Sequence, residues 1–178
     1  MFLNIITPCS RPQNLQKIAE SINIPRENYR WLVVFDRHTV PFGIPSICEA
    51  YAEYNVKSVF GNHQRNVALS KVSDGHIYFN DDDTLIHPDL WDAVKDLQND
   101  FISFKQADVK GNIRLRGDVI QVTAVDSHNF IVDSKLVEGI EWRLSRYDAD
   151  GVFASECKKK SKSSIWLDKV LSVYNVLG

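Results

Sequence analysis

The stretch HIYFNDDDTLIHPDLW, His76 to Trp91, runs an apolar strand pattern directly into three consecutive carboxylates, Asp81, Asp82 and Asp83. Like charges this close repel one another unless a cation or several hydrogen-bond donors hold them. A divalent metal ion with oxygen ligands is a common partner for such a group. The stretch therefore predicts a buried strand that ends at a metal site, with a solvated turn that caps the next helix as the simpler alternative.

Alternating strands and helices lead up to the acidic run. Apolar runs and helical periodicity predict strands over 2–8, 31–35, 56–60 and 76–80, and helices over 15–22, 46–54 and 64–72. This alternation favours a parallel sheet with helices on its faces. Ligands of such sheets bind beyond the carboxyl ends of the strands, and the three aspartates follow one of those ends.

The second half of the chain has a different texture. Its pattern predicts a helix over 87–98, a strand over 101–105, a hairpin within 106–125, a strand over 127–133, a helix over 147–160 and a strand over 170–177. The hairpin makes the sheet mixed. We expect an α/β fold with one domain, in which a mostly parallel, Rossmann-like sheet is flanked by helices. A nucleotide-binding half would cover about 1–105 and an acceptor and catalytic half about 106–178.

Composition places the chain among ordinary globular domains. Its 178 residues are 44% hydrophobic and 25% charged, and the net charge of −2 gives no reason to expect nucleic acid as a partner. The three cysteines are widely spaced and are expected to be free thiols. No signal peptide and no apolar run of roughly 20 residues is found, so the sequence predicts a cytoplasmic protein without a transmembrane segment.

Three metal-binding motifs compete for the acidic run. A haloacid dehalogenase loop needs Asp-x-Asp-x-Thr, but the fifth position counted from Asp81 is Leu85. An EF-hand loop needs Gly at its sixth and Glu at its twelfth position, and these are Ile86 and Asp92. What remains is the Asp-x-Asp element through which Mg²⁺ or Mn²⁺ neutralises the leaving diphosphate of a nucleotide-sugar.

The chain resembles the GT-A glycosyltransferases over about residues 3–160. The likeness is chiefly to the β-1,3-glucuronyltransferase family and more loosely to small inverting bacterial and viral transferases of family 2. Four ordered blocks carry it: ITPCSRP, WLVVFD, QRNVAL and YFNDDDT. The resemblance implies metal-dependent, inverting transfer of a hexosyl or glucuronyl group from a nucleoside-diphosphate sugar, with UDP favoured. It also implies Mn²⁺ or Mg²⁺ as cofactor and a glycan or small hydroxyl compound as acceptor.

Roles in nucleotide binding follow from the matching letters. By resemblance, Thr7 and Pro8 would line the nucleotide pocket, and Asp36 would accept a hydrogen bond from the base. Arg65 would approach the base or the diphosphate. Two simpler interpretations stay open, since Asp36 could cap a turn and Arg65 could pair with a surface acid.

The resemblance also divides the work within the acidic run. Asp82 would bind the ribose hydroxyls, Asp83 would bind the metal ion, and Asp81 would support them. Side chains alternate along a strand and just beyond it, so we expect Asp81 and Asp83 to point one way and Asp82 the other.

Direct displacement at the anomeric carbon needs a carboxylate that takes the proton of the acceptor hydroxyl. By resemblance, Asp150 in YDADGVFASECKK is the predicted base, with Asp148 as the reserve. A helix N-terminus lowers a carboxyl pKa, so we expect this base to be ionised at neutral pH. The alternative is a pair of residues that only caps the helix.

AVDSHNFIVD (124–133) resembles the family block in which a loop meets the donor sugar and the acceptor. Asp126 and His128 are therefore predicted substrate contacts, although a histidine in such a loop can also be purely structural. Two other functional classes stay open: a nucleotidyltransferase that makes nucleotide-sugars, and a non-catalytic module that binds nucleotide-sugars or glycans. The sequence also leaves a homodimer open.

Overall fold

The computed structural model describes residues 1–36, 38–52 and 59–178. Within these residues, one mixed sheet is flanked by α-helices, as predicted. The strands are β1 (Leu3–Cys9), β2 (Tyr29–Phe35), β3 (Cys48–Ala52), β4 (His76–Phe79), β5 (Phe101–Ala107), β6 (Ile113–Leu115), β7 (Phe130–Asp133) and β8 (Ser164–Val173). The helices are α1 (Leu15–Ser21), α2 (Asn62–Leu69), α3 (Leu90–Val94) and α4 (Ala149–Lys160).

The strand order places a crevice beside the acidic run. The sheet runs β3-β2-β1-β4-β7-β5-β6, and β8 pairs with β5. Strands β1, β2, β3 and β4 are mutually parallel, and β7 is antiparallel to both β4 and β5. The chain passes from β1 to β2 on one side and later returns to place β4 on the other side. Such a reversal of strand order opens a crevice at the carboxyl ends of β1 and β4, where ligands of α/β sheets bind.

Buried side chains cover both faces of the sheet because successive strand residues point to opposite sides. On one face, Ile5 and Trp31 pack with residues of α1 and α3. On the other face, Ile6 and Leu32 pack with residues of α2 and α4, including the fully buried Phe153. The helices therefore fix the positions of the loops at the carboxyl ends of the strands.

Several predicted elements differ from the observed ones. The predicted helix over 46–54 is wrong, because residues 48–52 form the strand β3, which gains its hydrogen bonds by pairing with β2. The terminal strand begins earlier than predicted, at Ser164, and ends at Val173. The helix predicted over 87–98 is reduced to α3. The strand predicted over 56–60 lies largely outside the described residues.

The three cysteines are free, as predicted. None of the described helices combines the length and the apolar character that crossing a membrane requires.

Candidate active site

A tight turn carries the acidic run away from β4. The Asn80 amide donates to the backbone carbonyls of Asp81, at 3.2 Å, and of Thr84, at 2.9 Å, so it closes the turn from inside. Because the chain leaves the extended conformation at this point, the strand alternation no longer decides where the three carboxylates point. Each of them finds its own partners.

Asp82 is held by the loop that follows β1. Its Oδ2 accepts from the backbone N–H groups of Ser10, at 2.6 Å, and Arg11, at 2.7 Å, and its Oδ1 accepts from Arg11 Nη1 at 2.6 Å. Burial raises the pKa of Asp82 above its ordinary value, although these donors oppose the rise. The carboxylate is thus fixed between β1 and β4, at the crevice.

Arg11 joins two of the three carboxylates. Its Nη1 lies 2.6 Å from Asp82 and 2.9 Å from Asp83. Asp82 and Asp83 thus share Arg11, whereas Asp81 finds other partners. Sequence reasoning missed Arg11 as a functional candidate. Its position two residues after Cys9, where β1 ends, is the signal that could have identified it.

Asp81 contacts the elements on the other side of the turn. It accepts from Arg65 Nη2, from Ser127 Oγ at 3.1 Å and from His128 Nε2 at 3.2 Å. Arg65 is buried and lies with its guanidinium 4.5 Å from the ring centroid of Trp142. Burial opposes ionisation of Asp81, but Arg65 and His128 outweigh it and hold its pKa well below the usual range. Arg65 is thus no surface residue, and it stabilises the charge of Asp81.

His128 is buried between two carboxylates. Its Nε2 lies 3.2 Å from Asp81 and 3.3 Å from Asp126. Burial lowers the pKa of His128, but Asp126 and Asp81 favour the charged ring and outweigh burial, so the pKa is raised to about 9. The Gln106 amide acts against the charged form, because its Nε2 lies 2.9 Å from Nδ1. Arg114, which can only donate, contacts the Gln106 oxygen and therefore turns the amide nitrogen towards His128.

Asp81, Asp126 and His128 could together offer three ligand atoms to a metal ion, since these atoms lie within 4.8 Å of one another. A metal-bound histidine usually donates from its second nitrogen to an acceptor. Gln106 presents a donor to that nitrogen instead. The three residues are therefore better suited to a hydrogen-bond network than to a metal site through His128.

Asp83 could offer a carboxylate oxygen to the metal ion that the resemblance implies. Its Oδ1 accepts only from the hydroxyl of Thr84, at 3.2 Å, among the contacts of the described residues, and its Oδ2 contacts Arg11. Its side chain borders both cavities of the site. Carboxylate oxygens are the ligands that Mg²⁺ and Mn²⁺ prefer.

Two cavities meet at the acidic run. The first cavity, of about 620 Å³, is lined by residues from the carboxyl ends of β1, β2 and β4 and from the start of α2, among them Pro8, Arg11 and Asp36. The second cavity, of about 310 Å³, is lined mainly by residues of the second half, including Asp126 and Asp150. Four of the described residues line both cavities: Phe60, Arg65, Asp81 and Asp83.

The predicted nucleotide contacts are only partly brought together. Pro8 and Asp36 line the first cavity. Asp36 also caps a turn, because its Oδ1 accepts from the backbone of His38 at 2.9 Å and from Thr39 Oγ1 at 2.7 Å. Thr7 does not line the cavity: it is fully buried, and its hydroxyl accepts from the indole nitrogen of Trp31 at 3.0 Å. The prediction for Thr7 is therefore wrong.

The two candidate bases differ in their environments. Asp150 lies in the first turn of α4 and lines the second cavity. Burial raises its pKa to about 6, with further contributions from Asp126 and Asp81. The expectation that the helix N-terminus lowers this pKa is wrong, because desolvation outweighs it. Asp148 instead forms two hydrogen bonds with Arg146, at 2.7 and 2.6 Å, which lower its pKa.

Comparisons with known proteins give structural but no sequence matches. No protein-family model and no curated protein sequence matches this chain. Staphylococcus aureus TarS 1–349 in complex with UDP-GlcNAc superposes with a TM-score of 0.76 at 16% identity, covering 97% of this chain and 58% of TarS 1–349. This chain thus spans about three fifths of that protein's length.

Two further solved structures have a similar fold. The mannosyltransferase PcManGT from Pyrobaculum calidifontis, in complex with GDP-Man and Mn²⁺, gives a TM-score of 0.69 at 15% identity over 98% of this chain and 56% of its own. Bifunctional IspDF from Campylobacter jejuni gives 0.60 at 11% identity over 95% of this chain and 50% of its own. At these identities the likeness concerns the fold, and the chain therefore has a GT-A-like fold: a mixed, mostly parallel sheet flanked by helices.

Proposed function

We propose that the protein is a metal-dependent, inverting glycosyltransferase that transfers a sugar from a nucleoside-diphosphate sugar to a hydroxyl group. The observation that carries the proposal is the meeting of two cavities at three differently held carboxylates, with Asp150 in the second cavity. The complexes of TarS with UDP-GlcNAc and of PcManGT with GDP-Man and Mn²⁺ support this class of donor. The finer likeness to β-1,3-glucuronyltransferases rests on the four sequence blocks.

The first cavity would hold the nucleotide. Its described lining residues all come from the part of the chain up to Asp83, which supports the predicted division into a nucleotide-binding and an acceptor half. Asp36 would accept from the base and Asp82 from the ribose hydroxyls. Arg11 and Arg65 neutralise part of the charge of the acidic run, beside which the diphosphate would lie. UDP is the favoured nucleotide on the resemblance of the sequence blocks.

Asp83 would hold Mn²⁺ or Mg²⁺ at the junction of the cavities. A bound divalent ion supplies neutralisation of the negative charge on the leaving diphosphate. Asp81 and Asp82 would contribute by position: Arg65 and Arg11 hold them, so that the turn keeps Asp83 directed at both cavities.

Asp150 would be the general base. The acceptor oxygen attacks the anomeric carbon, the bond from that carbon to the diphosphate breaks with its electron pair, and the hydroxyl proton passes to Asp150. Attack on the face opposite the leaving group inverts the configuration. A pKa of about 6 suits the role, because the carboxylate is mostly ionised at neutral pH and still takes a proton readily.

Calorimetry with UDP and Mn²⁺ tests the proposal. We expect UDP to bind more tightly with Mn²⁺ than with a chelator, and Asp83→Ala to remove this difference. Asp92→Ala is the matched control, because Asp92 is an exposed aspartate of α3. If the affinity for UDP is the same with and without Mn²⁺ and is unchanged by Asp83→Ala, the metal site is contradicted. If UDP does not bind at all, the proposed function is contradicted.

A further inference from the structure

Two aromatic rings stand exposed at the mouth of the second cavity. Phe60 is 62% exposed and Tyr147 is 77% exposed. Their ring centroids lie 4.9 Å apart in an edge-to-face arrangement. Both side chains line the second cavity, and Phe60 also borders the first. Large aromatic surfaces left in water beside a cavity are typical of a surface that a ligand covers.

The charges of the second cavity are arranged against an anionic ligand. Among its described lining residues, Arg65 contacts Asp81, Arg114 contacts Asp126 at 2.7 Å, and His128 lies between these two carboxylates. Both arginines are therefore already engaged by a carboxylate.

Further acidic groups line the same cavity, namely Asp83, Asp148 and Asp150. Asp148 is paired with Arg146 and Asp83 with Arg11. Among the described contacts, Asp150 has no cationic side chain in an ion pair; its Oδ1 accepts from the backbone N–H of Gly151 at 2.7 Å. A carboxylate or phosphate on a ligand would meet this charge and would find no unpaired cation among the described lining residues.

We propose that the second cavity is the acceptor subsite and that it selects an uncharged sugar ring, which stacks on the more exposed ring, that of Tyr147, beside Phe60. This inference rests on the proposed function and names the acceptor class of the same site. A pyranose ring offers an apolar C–H face to an aromatic ring and hydroxyl groups at its edge. Those hydroxyl groups can donate to the carboxylates that line the cavity, and Asp150 would receive the proton of the reacting hydroxyl group. An uncharged sugar thus matches both the exposed aromatic rings and the carboxylates that line the second cavity.

Ligand-detected NMR tests the aromatic contact without requiring turnover. We measure saturation transfer from the protein to the methyl β-glycosides of glucose, galactose and N-acetylglucosamine, each with and without UDP and Mn²⁺. We expect saturation transfer to the ring protons of at least one glycoside. Tyr147→Ala should weaken the affinity for that glycoside about tenfold, and Tyr147→Phe should retain it. Circular dichroism confirms that each variant is folded. No transfer from any of the three glycosides, or equal transfer with Tyr147→Ala, would overturn the inference.

A matched pair of ligands tests the charge argument. Methyl β-glucuronide differs from methyl β-glucoside in carrying a carboxylate at the same ring. We expect the uncharged glycoside to bind at least about tenfold more tightly, and equal or tighter binding of the glucuronide would overturn the selection of uncharged rings. UDP calorimetry on the same samples separates the two proposals. If the protein binds UDP but none of the glycosides, the acceptor subsite alone is contradicted. If it binds a glycoside at Tyr147 but does not bind UDP, the proposed donor is contradicted.

Discussion

Asp150 shows how one half-buried carboxylate can link stability to the proposed chemistry. Its pKa is raised to about 6, from an ordinary value of 3.8, because it is desolvated and lies near Asp126 and Asp81. The native state therefore binds the proton of Asp150 more tightly than the unfolded chain does. The stabilisation that comes from this bound proton is fully present below the ordinary pKa of 3.8 and is lost as the pH rises through about 6.

The substitution Asp150→Asn should therefore raise the stability of the protein and at the same time abolish sugar transfer. We expect the free energy of unfolding of the variant to exceed that of the wild type by about 2 to 3 kcal/mol at pH 7.5, with the difference fading towards pH 4. An asparagine oxygen can still accept from the Gly151 backbone N–H, so the start of α4 is preserved. Urea unfolding at several pH values measures this.

Asp148→Asn is the control for that experiment. Asp148 is ionised and paired with Arg146, so its neutralisation should give no stabilisation at neutral pH. If Asp150→Asn and the wild type were equally stable at every pH, the desolvation of Asp150 would be refuted.

At the scale of elements, the start of α2 is packed against the carboxyl end of β1. Gly61 precedes α2 with φ +74°, a left-handed conformation that glycine adopts without strain. A Cβ at Gly61 would lie 2.6 Å from Pro8 Cβ. This close approach brings Arg65, one turn into α2, to Asp81.

The substitution Gly61→Ala should destabilise the protein by about 1 to 3 kcal/mol through backbone strain alone, and by more through the contact with Pro8. Gly139→Ala separates the two effects, because Gly139 has φ +71° and no atom lies within 4 Å of the position that a Cβ would take. Urea unfolding of both variants gives the comparison. Equal losses of stability would mean that the approach of α2 to Pro8 contributes nothing.

Helix and strand patterns were less informative at the sheet edge than at its centre. The buried runs of β1, β2 and β4 were predicted because their apolar residues are continuous. Residues 48–52 carry mixed polar and apolar residues, and only the pairing with β2 makes them a strand. Local periodicity cannot show such a pairing.

At the scale of the whole molecule, ligand binding at the crevice should stabilise the fold by mass action. With UDP and Mn²⁺ at about 100 times the dissociation constant, we expect about 2.7 kcal/mol of added stability, which raises the melting temperature by roughly 5 to 10 °C. Thermal unfolding with UDP alone, with Mn²⁺ alone and with both measures this. An equal shift for UDP in the presence of a chelator would contradict the metal-dependent part of the proposal.

The sequence by itself determined the fold class and the edge of the sheet at which the site lies. Apolar periodicity identifies the central strands, and the carboxyl ends of parallel strands converge at one edge. Asp36 and the run Asp81–Asp83 therefore had to lie near one another, and the structure places all four at the first cavity.

Only the tertiary structure decided what each carboxylate contacts and how readily it ionises. Arg11 holds Asp82 from 71 positions away in the chain, and Arg65 holds Asp81 from another element. The raised pKa of Asp150 likewise arises from burial beside residues that are distant in sequence. The physical reason is that hydrogen-bond partners and desolvation depend on packing in three dimensions, whereas sequence patterns report only on the conformation of neighbouring residues.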